Sequence, residues 1–217
     1  SAKKYLDIKQ IHGKKLSYNN YNDIFSALTI SKYFPKNVGT VILKHANPCG
    51  VSVKKNQINS YQSALACDPI SAFGGIVSCN YKIKKKLATH LSKIFLEVII
   101  ANGFEKNALK ILKKKKNLRL IDSSNLDKSD INSYVSNFNS VLVQSADVKK
   151  FDKKNFIVVS KRKPTLDQLK NLIFAFNVCR YVKSNAIVIA NNETTLGIGS
   201  GQPNRLDSCK IAIEKMN

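Results

Sequence analysis

The sequence predicts an α/β fold in which helices cover both faces of a central sheet. Two observations support this prediction. Short β-branched runs alternate along the 217 residues with segments whose apolar residues recur every three to four positions. Several of these runs are apolar at successive positions, as in strands that are buried on both faces. The pattern therefore indicates a layered helix-sheet-helix architecture.

The individual elements follow from local composition and spacing. The apolar runs predict strands at residues 38–45, 74–80, 95–100, 117–121, 139–144, 155–160 and 186–190. Helical spacing predicts helices over residues 58–65, 83–91, 109–112, 166–182 and 204–216. Thr165 and Gln168 have the spacing of a capping box at the start of the long helix. Residues 122–139, rich in Ser, Asn and Asp, predict a surface loop or a connection between two halves.

The charge of the chain raises the question of a nucleic-acid partner. There are 36 basic and 14 acidic residues, which gives a formal charge of +22. Only four of the basic residues are arginine, whose planar guanidinium recognises bases and phosphates best. The excess of lysine is also explained by an A/T-rich genome, which favours the codons of lysine, asparagine and isoleucine. No aromatic residues lie among the lysines of the run Lys113–Lys116. Nucleic-acid binding is therefore disfavoured.

Cysteine usage and hydropathy bear on the cellular compartment. The five cysteines are widely spaced and form no C-x-x-C pair, which argues against a disulfide framework or a structural zinc site. No apolar run approaches the ~20 residues needed to cross a bilayer, and the first residues do not have the pattern of a signal peptide. We therefore expect a cytoplasmic protein that does not insert into a membrane.

A lysine-histidine pair stands at the end of the first predicted buried strand, and Pro48 and Gly50 after it predict a turn. Ligands of open α/β sheets bind beyond the carboxyl ends of strands, which places Lys44 and His45 at a candidate site. Repulsion from the neighbouring ammonium disfavours the imidazolium, so that His45 would act as a neutral general base. The alternative is a histidine that makes only a structural hydrogen bond in the turn.

Three further segments combine turns with small or polar residues. Asp68–Gly75 enters a strand through paired glycines, which permit positive φ and close approach of a ligand. Asn185 precedes a buried strand and is either an oriented amide donor or a helix C-cap. The glycine-rich segment Leu196–Arg205 is either an anion nest with Arg205 as a clamp or a structural turn.

A zinc site is suggested by the segment from His45 to Cys49, which partly matches the motif of the zinc deaminases. Asn47 stands where that motif has its acid-base carboxylate, and an amide cannot exchange protons in that way. No second cysteine stands three residues after Cys49. The sequence therefore predicts no metal.

Seven segments, taken in order, are more specific together than any single motif. They are GKKLSYNN (13–20), VILKHANPCGVS (41–52), DPISAFGGIVSCN (68–80), EVIIANGFEKNALKIL (97–112), KRKPT (161–165), FNVCRYVKSNAIVIA (176–190) and LGIGSGQPNRLDSCKIA (196–212). This series closely resembles the AICAR transformylase family, the transformylase part of the bifunctional purine biosynthesis proteins. The resemblance spans nearly the whole chain.

The resemblance implies an activity and an assembly. The activity is transfer of a formyl group from the co-substrate 10-formyltetrahydrofolate to the 5-amino group of AICAR, which gives formyl-AICAR for IMP synthesis. The implied fold is a cytidine-deaminase-like three-layer α/β/α structure without zinc. The implied assembly is a homodimer with active sites at the interface.

The resemblance also assigns roles to residues of this chain. His45 is the proton-transfer residue, Lys44 is its partner and stabilises the developing oxyanion, and Asn185 is a further hydrogen-bond donor. The residues that would line the nucleotide site are Asn20, Phe73, Gly74, Glu97 and Arg205.

The sequence departs from the family in two ways. Pro203-Asn204 precedes the arginine, where the family usually has Met-Ser or Gln-Ser. Segments that the family uses for nucleotide and folate binding are missing, so we expect residues 1–217 to be a partial transformylase domain, without its C-terminal part and without the cyclohydrolase domain. The rival interpretation is a catalytically incomplete remnant or a lysine-rich module that binds RNA or another polyanion.

Overall fold

The computed structural model describes residues 8–126, 133–149, 151 and 153–216. Ten strands are formed in this part of the chain: β1 (Lys9–His12), β2 (Gly39–Lys44), β3 (Asn47–Val53), β4 (Ile76–Cys79), β5 (Val98–Ala101), β6 (Arg119–Asp122), β7 (Ser133–Asn137), β8 (Ser140–Gln144), β9 (Ile187–Asn191) and β10 (Thr194–Gly199). Eight of them form one sheet in the order β1-β6-β5-β4-β2-β3-β10-β9, and β7 and β8 form a separate hairpin. The α/β class is therefore confirmed.

Seven α-helices lie between these strands in the described residues. They are α1 (Tyr18–Ser31), α2 (Gln57–Cys67), α3 (Pro69–Ala72), α4 (Lys85–Leu91), α5 (Lys106–Leu112), α6 (Leu166–Cys179) and α7 (Arg205–Glu214). The capping box predicted at the start of α6 is present, since Thr165 and Gln168 bond each other's backbone N–H groups. Helices α1 and α3 were not predicted from the sequence.

The main sheet is mixed in direction. Strands β4, β5 and β6 are parallel to one another, whereas β2 runs antiparallel to β4 and β1 antiparallel to β6. On the other side of β2, the neighbours β3, β10 and β9 are each antiparallel to the preceding strand. The carboxyl ends of β1, β2 and β10 consequently lie at the same edge as the amino ends of β4, β5 and β6.

Helices cover both faces of this sheet because successive strand residues point to opposite faces. Val41 of β2 belongs to one core with Ile24 of α1 and Phe174 of α6. The next residue, Ile42, belongs to the second core, which is formed with α2, α4 and α5 and includes Leu87. The arrangement has three layers, as the apolar strand runs predict.

One predicted strand is wrong. The segment 155–160 forms no strand, and a 3₁₀ turn occupies Lys153–Asn155. Ile157 and Val159 are 86% and 94% exposed, and the segment pairs with no strand among the described residues. A β-branched run indicates strand propensity but not whether a partner strand is available.

The stretch 122–139 is only partly the expected surface loop. Residues 133–137 form β7, which pairs with β8 in an antiparallel hairpin. Residues 127–132 lie outside the described residues.

No helix in the described part of the chain has both the length and the apolar character that a bilayer span requires.

Candidate active site

The eight residues assigned by motif come together at one edge of the main sheet. The carboxyl end of β2 carries the lysine-histidine pair, and the turns before β4 and β5 carry the aromatic-glycine pair and the glutamate. The start of α1, the turn before β9 and the start of α7 supply the other three, Asn20, Asn185 and Arg205. Lys44 and His45 lie at the carboxyl end of β2, as expected, whereas the parallel strands β4 and β5 contribute their amino ends.

His45 lies in the turn of a tight β-hairpin. Lys44 pairs with Asn47, so that His45 and Ala46 form a two-residue turn, with φ values of 53° and 59°. Positive φ at both central residues is the geometry of a type I′ turn, which usually has Asn-Gly at these positions. The side chain of His45 is exposed.

The turn predicted at Pro48 and Gly50 is wrong, because both residues lie within β3. The register between β2 and β3 shifts after Gly50, so that Cys49 is an extra residue and Pro48 stands at a β-bulge. A Cβ atom on Gly50 would lie 1.9 Å from the carbonyl oxygen of Ala64 in α2. This glycine therefore permits close packing of α2 on the sheet.

Two hydrogen bonds hold the hairpin turn from outside. The backbone N–H of Ala46 donates to Oδ1 of Asp23 in α1 at 2.7 Å. The backbone N–H of Lys183 donates to Oδ1 of Asn47 at 2.9 Å. The second bond joins the His45 turn to the segment that carries Asn185.

Lys44 reaches the loop before β4. Its Nζ donates to the carbonyl oxygen of Phe73 at 2.8 Å, and an ammonium has two further N–H groups. The ring of Phe73 is 58% exposed and packs on Phe95, with 5.3 Å between ring centroids. Gly74 has φ of 72° and donates from its N–H to the carbonyl oxygen of Phe95. The loop is thus fixed from both sides and presents an aromatic face.

Asn20 and Glu97 are in direct contact although they are far apart in the sequence. Nδ2 of Asn20 donates to Oε2 of Glu97 at 3.0 Å, while its Oδ1 accepts from the N–H of Ser17 in a capping box. Nη1 of Arg119 lies 3.6 Å from the same Glu97 oxygen. These contacts orient the carboxylate of Glu97 just before the amino end of β5.

Asn185 holds the loop before α7. Its Nδ2 donates to the carbonyl oxygens of Gln202 and Pro203, both at 3.0 Å, and its backbone N–H also donates to Gln202. Both amide hydrogens are therefore committed to the main chain in this conformation. Arg205 begins α7 and is exposed, and Asn204 caps this helix by accepting from the N–H of Asp207.

Two of the three glycines in the glycine-rich segment, Gly197 and Gly199, lie in β10, and the turn that leads to α7 follows at residues 200–204. Cβ atoms on Gly197 and Gly199 would lie 1.9 Å and 1.8 Å from carbonyl oxygens of α7. These two glycines therefore allow α7 to pack directly on β10. Gly201, with φ of 69°, is the left-handed residue of the turn that follows.

Asp68 and Cys49 lie near this edge, and their pKa values are shifted in opposite directions. Burial raises the pKa of Asp68, but hydrogen bonds from Lys215 and Ser71 outweigh it and hold that pKa below its usual value. Nζ of Lys215 lies 2.6 Å from Oδ2 of Asp68. Burial raises the pKa of the Cys49 thiol to about 12, so that this thiol is not a nucleophile near neutral pH.

Sequence reasoning missed several residues of this edge. Asp23 lies three residues after Asn20 and so on the same face of α1, a spacing that could have indicated it. Arg119 is one of only four arginines in a lysine-rich chain. Phe95 had no local signal, since its role depends on the loop against which it packs.

No group of three or more His, Cys, Asp or Glu side chains in the described ranges is arranged to hold a metal ion. All five cysteines are free thiols.

Comparison with known proteins gives one consistent result. The profile of the family described as "AICARFT/IMPCHase bienzyme" matches residues 1–215. The chain is 43% identical over 211 residues to the "Bifunctional purine biosynthesis protein PurH" of Limosilactobacillus reuteri (strain DSM 20016), covering 96% of this chain and 41% of that protein. Proteins of the same name from Acetivibrio thermocellus and Anoxybacillus flavithermus are 43% and 45% identical, over 95% of this chain and 40% of their own lengths. The chain thus spans about two fifths of the curated relatives that it matches.

Proposed function

The chain belongs to the AICARFT/IMPCHase bienzyme family, and on that premise we propose that it carries out formyl transfer from 10-formyltetrahydrofolate to AICAR in purine biosynthesis. The observation that carries the proposal is topological. Eight residues from six separate segments, assigned by motif alone, lie along one sheet edge. A chance resemblance would not require them to meet.

The proposed reaction requires a proton acceptor and a group that stabilises an oxyanion, and these roles fall to His45 and Lys44. The amine of AICAR attacks the formyl carbon, and the carbonyl oxygen becomes an oxyanion. The exposed imidazole of His45 accepts the amine proton, and the two remaining N–H groups of Lys44 stabilise the oxyanion. Collapse of this intermediate breaks the bond between the formyl carbon and the folate nitrogen, and His45 returns the proton that it accepted to this nitrogen as tetrahydrofolate leaves.

Binding of the nucleotide falls to the neighbouring groups in this proposal. The exposed ring of Phe73 offers a stacking face, and the carboxylate of Glu97 offers hydrogen-bond acceptors that Asn20 and Arg119 keep in place. Arg205 is available for an anionic group. Asn185 contributes by fixing the loop that leads to Arg205.

The remaining parts of the proposal rest on the resemblance. The three-layer mixed sheet supports a cytidine-deaminase-like fold, with residues 1–217 as part of a transformylase domain. We propose a homodimer with its sites at the interface, which sedimentation measurements across a range of protein concentrations test. Free thiols support a cytoplasmic location.

The activity is tested by a formyl-transfer assay on the purified chain with AICAR and 10-formyltetrahydrofolate, followed by the appearance of tetrahydrofolate. We expect His45→Ala to lower the rate by roughly 10²–10⁴-fold. His90→Ala is the matched control, because His90 bonds only its own helix α4 through Lys86 in the hydrogen bonds described. Equal rates for the two variants would contradict the proposal. Absence of transfer together with tight, salt-sensitive RNA binding would favour the polyanion-binding alternative.

A further inference from the structure

We infer that Asp23 is a positioning residue for His45, which deepens the proposed function and rests on it. Asp23 lies in α1, and its carboxylate accepts from the N–H of Ala46, the residue that follows the histidine. The hydrogen bond is short, at 2.7 Å, and its acceptor is a charged group. Asp23 touches no substrate in this scheme and acts through the turn.

The turn needs an external support. His45 and Ala46 both adopt left-handed backbone conformations, which residues with a Cβ atom rarely occupy. Asn-Gly would adopt this turn at lower energy, but it would remove the imidazole from the tip of the hairpin. A bond that pins the Ala46 N–H stabilises the conformation without changing the side chain that the chemistry needs.

The carboxylate of Asp23 has no competing role in its own helix. Asp23 lies beyond the first turn of α1, whose N-cap is Ser17, so that it neither caps the helix nor complements its N-terminal dipole. The side chain is partly buried against the hairpin. Its hydrogen bond to another element is therefore the role that the structure gives it.

The same helix also positions Glu97, which is proposed to bind the nucleotide. Asn20 lies one turn before Asp23 and donates to Glu97, whereas Asp23 accepts from the His45 turn. Residues three apart share a helix face. Helix α1 therefore sets the spacing between His45, the proposed proton acceptor, and the carboxylate of Glu97, which is proposed to bind the nucleotide.

The test compares four variants by amide hydrogen exchange at Ala46 and by formyl-transfer kinetics. Asp23→Ala removes the acceptor, and Asp23→Glu keeps the charge but moves it by one methylene. We expect both to speed exchange at Ala46 by at least about tenfold. We also expect kcat to fall by roughly 10- to 100-fold, with the KM for AICAR within about twofold of the wild-type value.

Asp23→Asn keeps an acceptor oxygen in place and is expected to restore both readouts to within about threefold of wild type. Asn22→Ala is the matched control, since Asn22 is exposed on the same helix and its carbonyl contact with Ser26 survives the substitution. Asp23→Glu decides the question if Asp23→Ala does not fold.

Two results would overturn the inference. One is unchanged exchange at Ala46 together with wild-type kcat in Asp23→Ala or Asp23→Glu. The other is an Asp23→Asn variant that is as impaired as Asp23→Ala, which would mean that an acceptor oxygen at this position is not enough to hold the turn. Failure of the proposed function is a separate outcome: the wild-type chain would show no transfer, and the exchange result alone would then decide whether Asp23 holds the turn.

Discussion

Replacing Asn185 by aspartate tests the loop contacts with almost no change in side-chain shape. The amide donates two hydrogen bonds of 3.0 Å, to the carbonyl oxygens of Gln202 and Pro203. Each bond contributes about 0.5–1.5 kcal/mol, and the contact with Pro203 is exposed and so falls at the low end. We therefore expect Asn185→Ala to lower the free energy of unfolding by about 1.5 kcal/mol.

Asn185→Asp should be worse than Asn185→Ala at pH 7, by about 1 kcal/mol, because an ionised carboxylate would face two carbonyl oxygens without a hydrogen to share. Its deficit should shrink as the pH falls towards about 4, where a carboxyl group gains a proton and can donate one bond. Urea unfolding at several pH values measures both effects.

Asn59→Asp is the charge control, since Asn59 is exposed in the first turn of α2 and should change stability by less than about 0.5 kcal/mol. If Asn185→Asp were as stable as the wild type at pH 7, the assignment of both amide hydrogens to the loop would be refuted. A deficit that did not respond to pH would refute the electrostatic part of the reasoning alone.

Three other predictions concern packing and ionisation. Gly50→Ala should lower the free energy of unfolding, measured in urea, by more than about 3 kcal/mol, because its Cβ would lie 1.9 Å from the carbonyl oxygen of Ala64 and the backbone would have to move. A loss of less than about 1 kcal/mol would contradict this prediction. Lys215→Met should cost about 1 kcal/mol at pH 7, since Lys215 is partly exposed, and the cost should vanish once the pH is low enough to protonate Asp68 in the folded protein. The sign follows from the lowered pKa of Asp68, whose contribution is present above its usual pKa and is lost as the pH falls through the folded-state value, so a pH-independent cost would count against it. Cys79 is fully buried, and burial raises its pKa to about 12, so it should be alkylated at pH 8 only in denaturant. Labelling at Cys79 itself in the native protein, located by peptide mapping because Cys179 and Cys209 are only partly buried, would disprove its burial.

Sequence reasoning located the elements with strong local signals. The long helix α6 has both an apolar stripe and a capping box, and both are confirmed. The strand at 155–160 failed because Ile157 and Val159 satisfy strand propensity without having a partner strand in the described residues. Availability of a partner is a property of the whole fold, which a local window does not contain.

At the candidate site, the sequence motifs predict which residues take part, but they do not indicate how the fold holds these residues. Pro48 and Gly50 suggested the turn, but the structure uses His45 and Ala46, whose types give no turn signal. The bond from Asn20 to Glu97 spans 77 positions and depends on the packing of α1 against β4 and β5, which lie far from it in the sequence. Contacts of this kind arise from tertiary structure and carry no local pattern.

The concentration of the eight motif-assigned residues at one edge of the sheet leaves the opposite edge usable for handling the protein. The turn after β4 lies there and carries exposed lysines, among them Lys82 and Lys84. Lys44 is itself an amine at the candidate site, so the attachment has to be specific for one position. A fluorophore or immobilising group placed at Lys82 or Lys84 alone would hold the chain with the candidate site towards solution. Surface-based binding measurements could then be made without masking the residues under study.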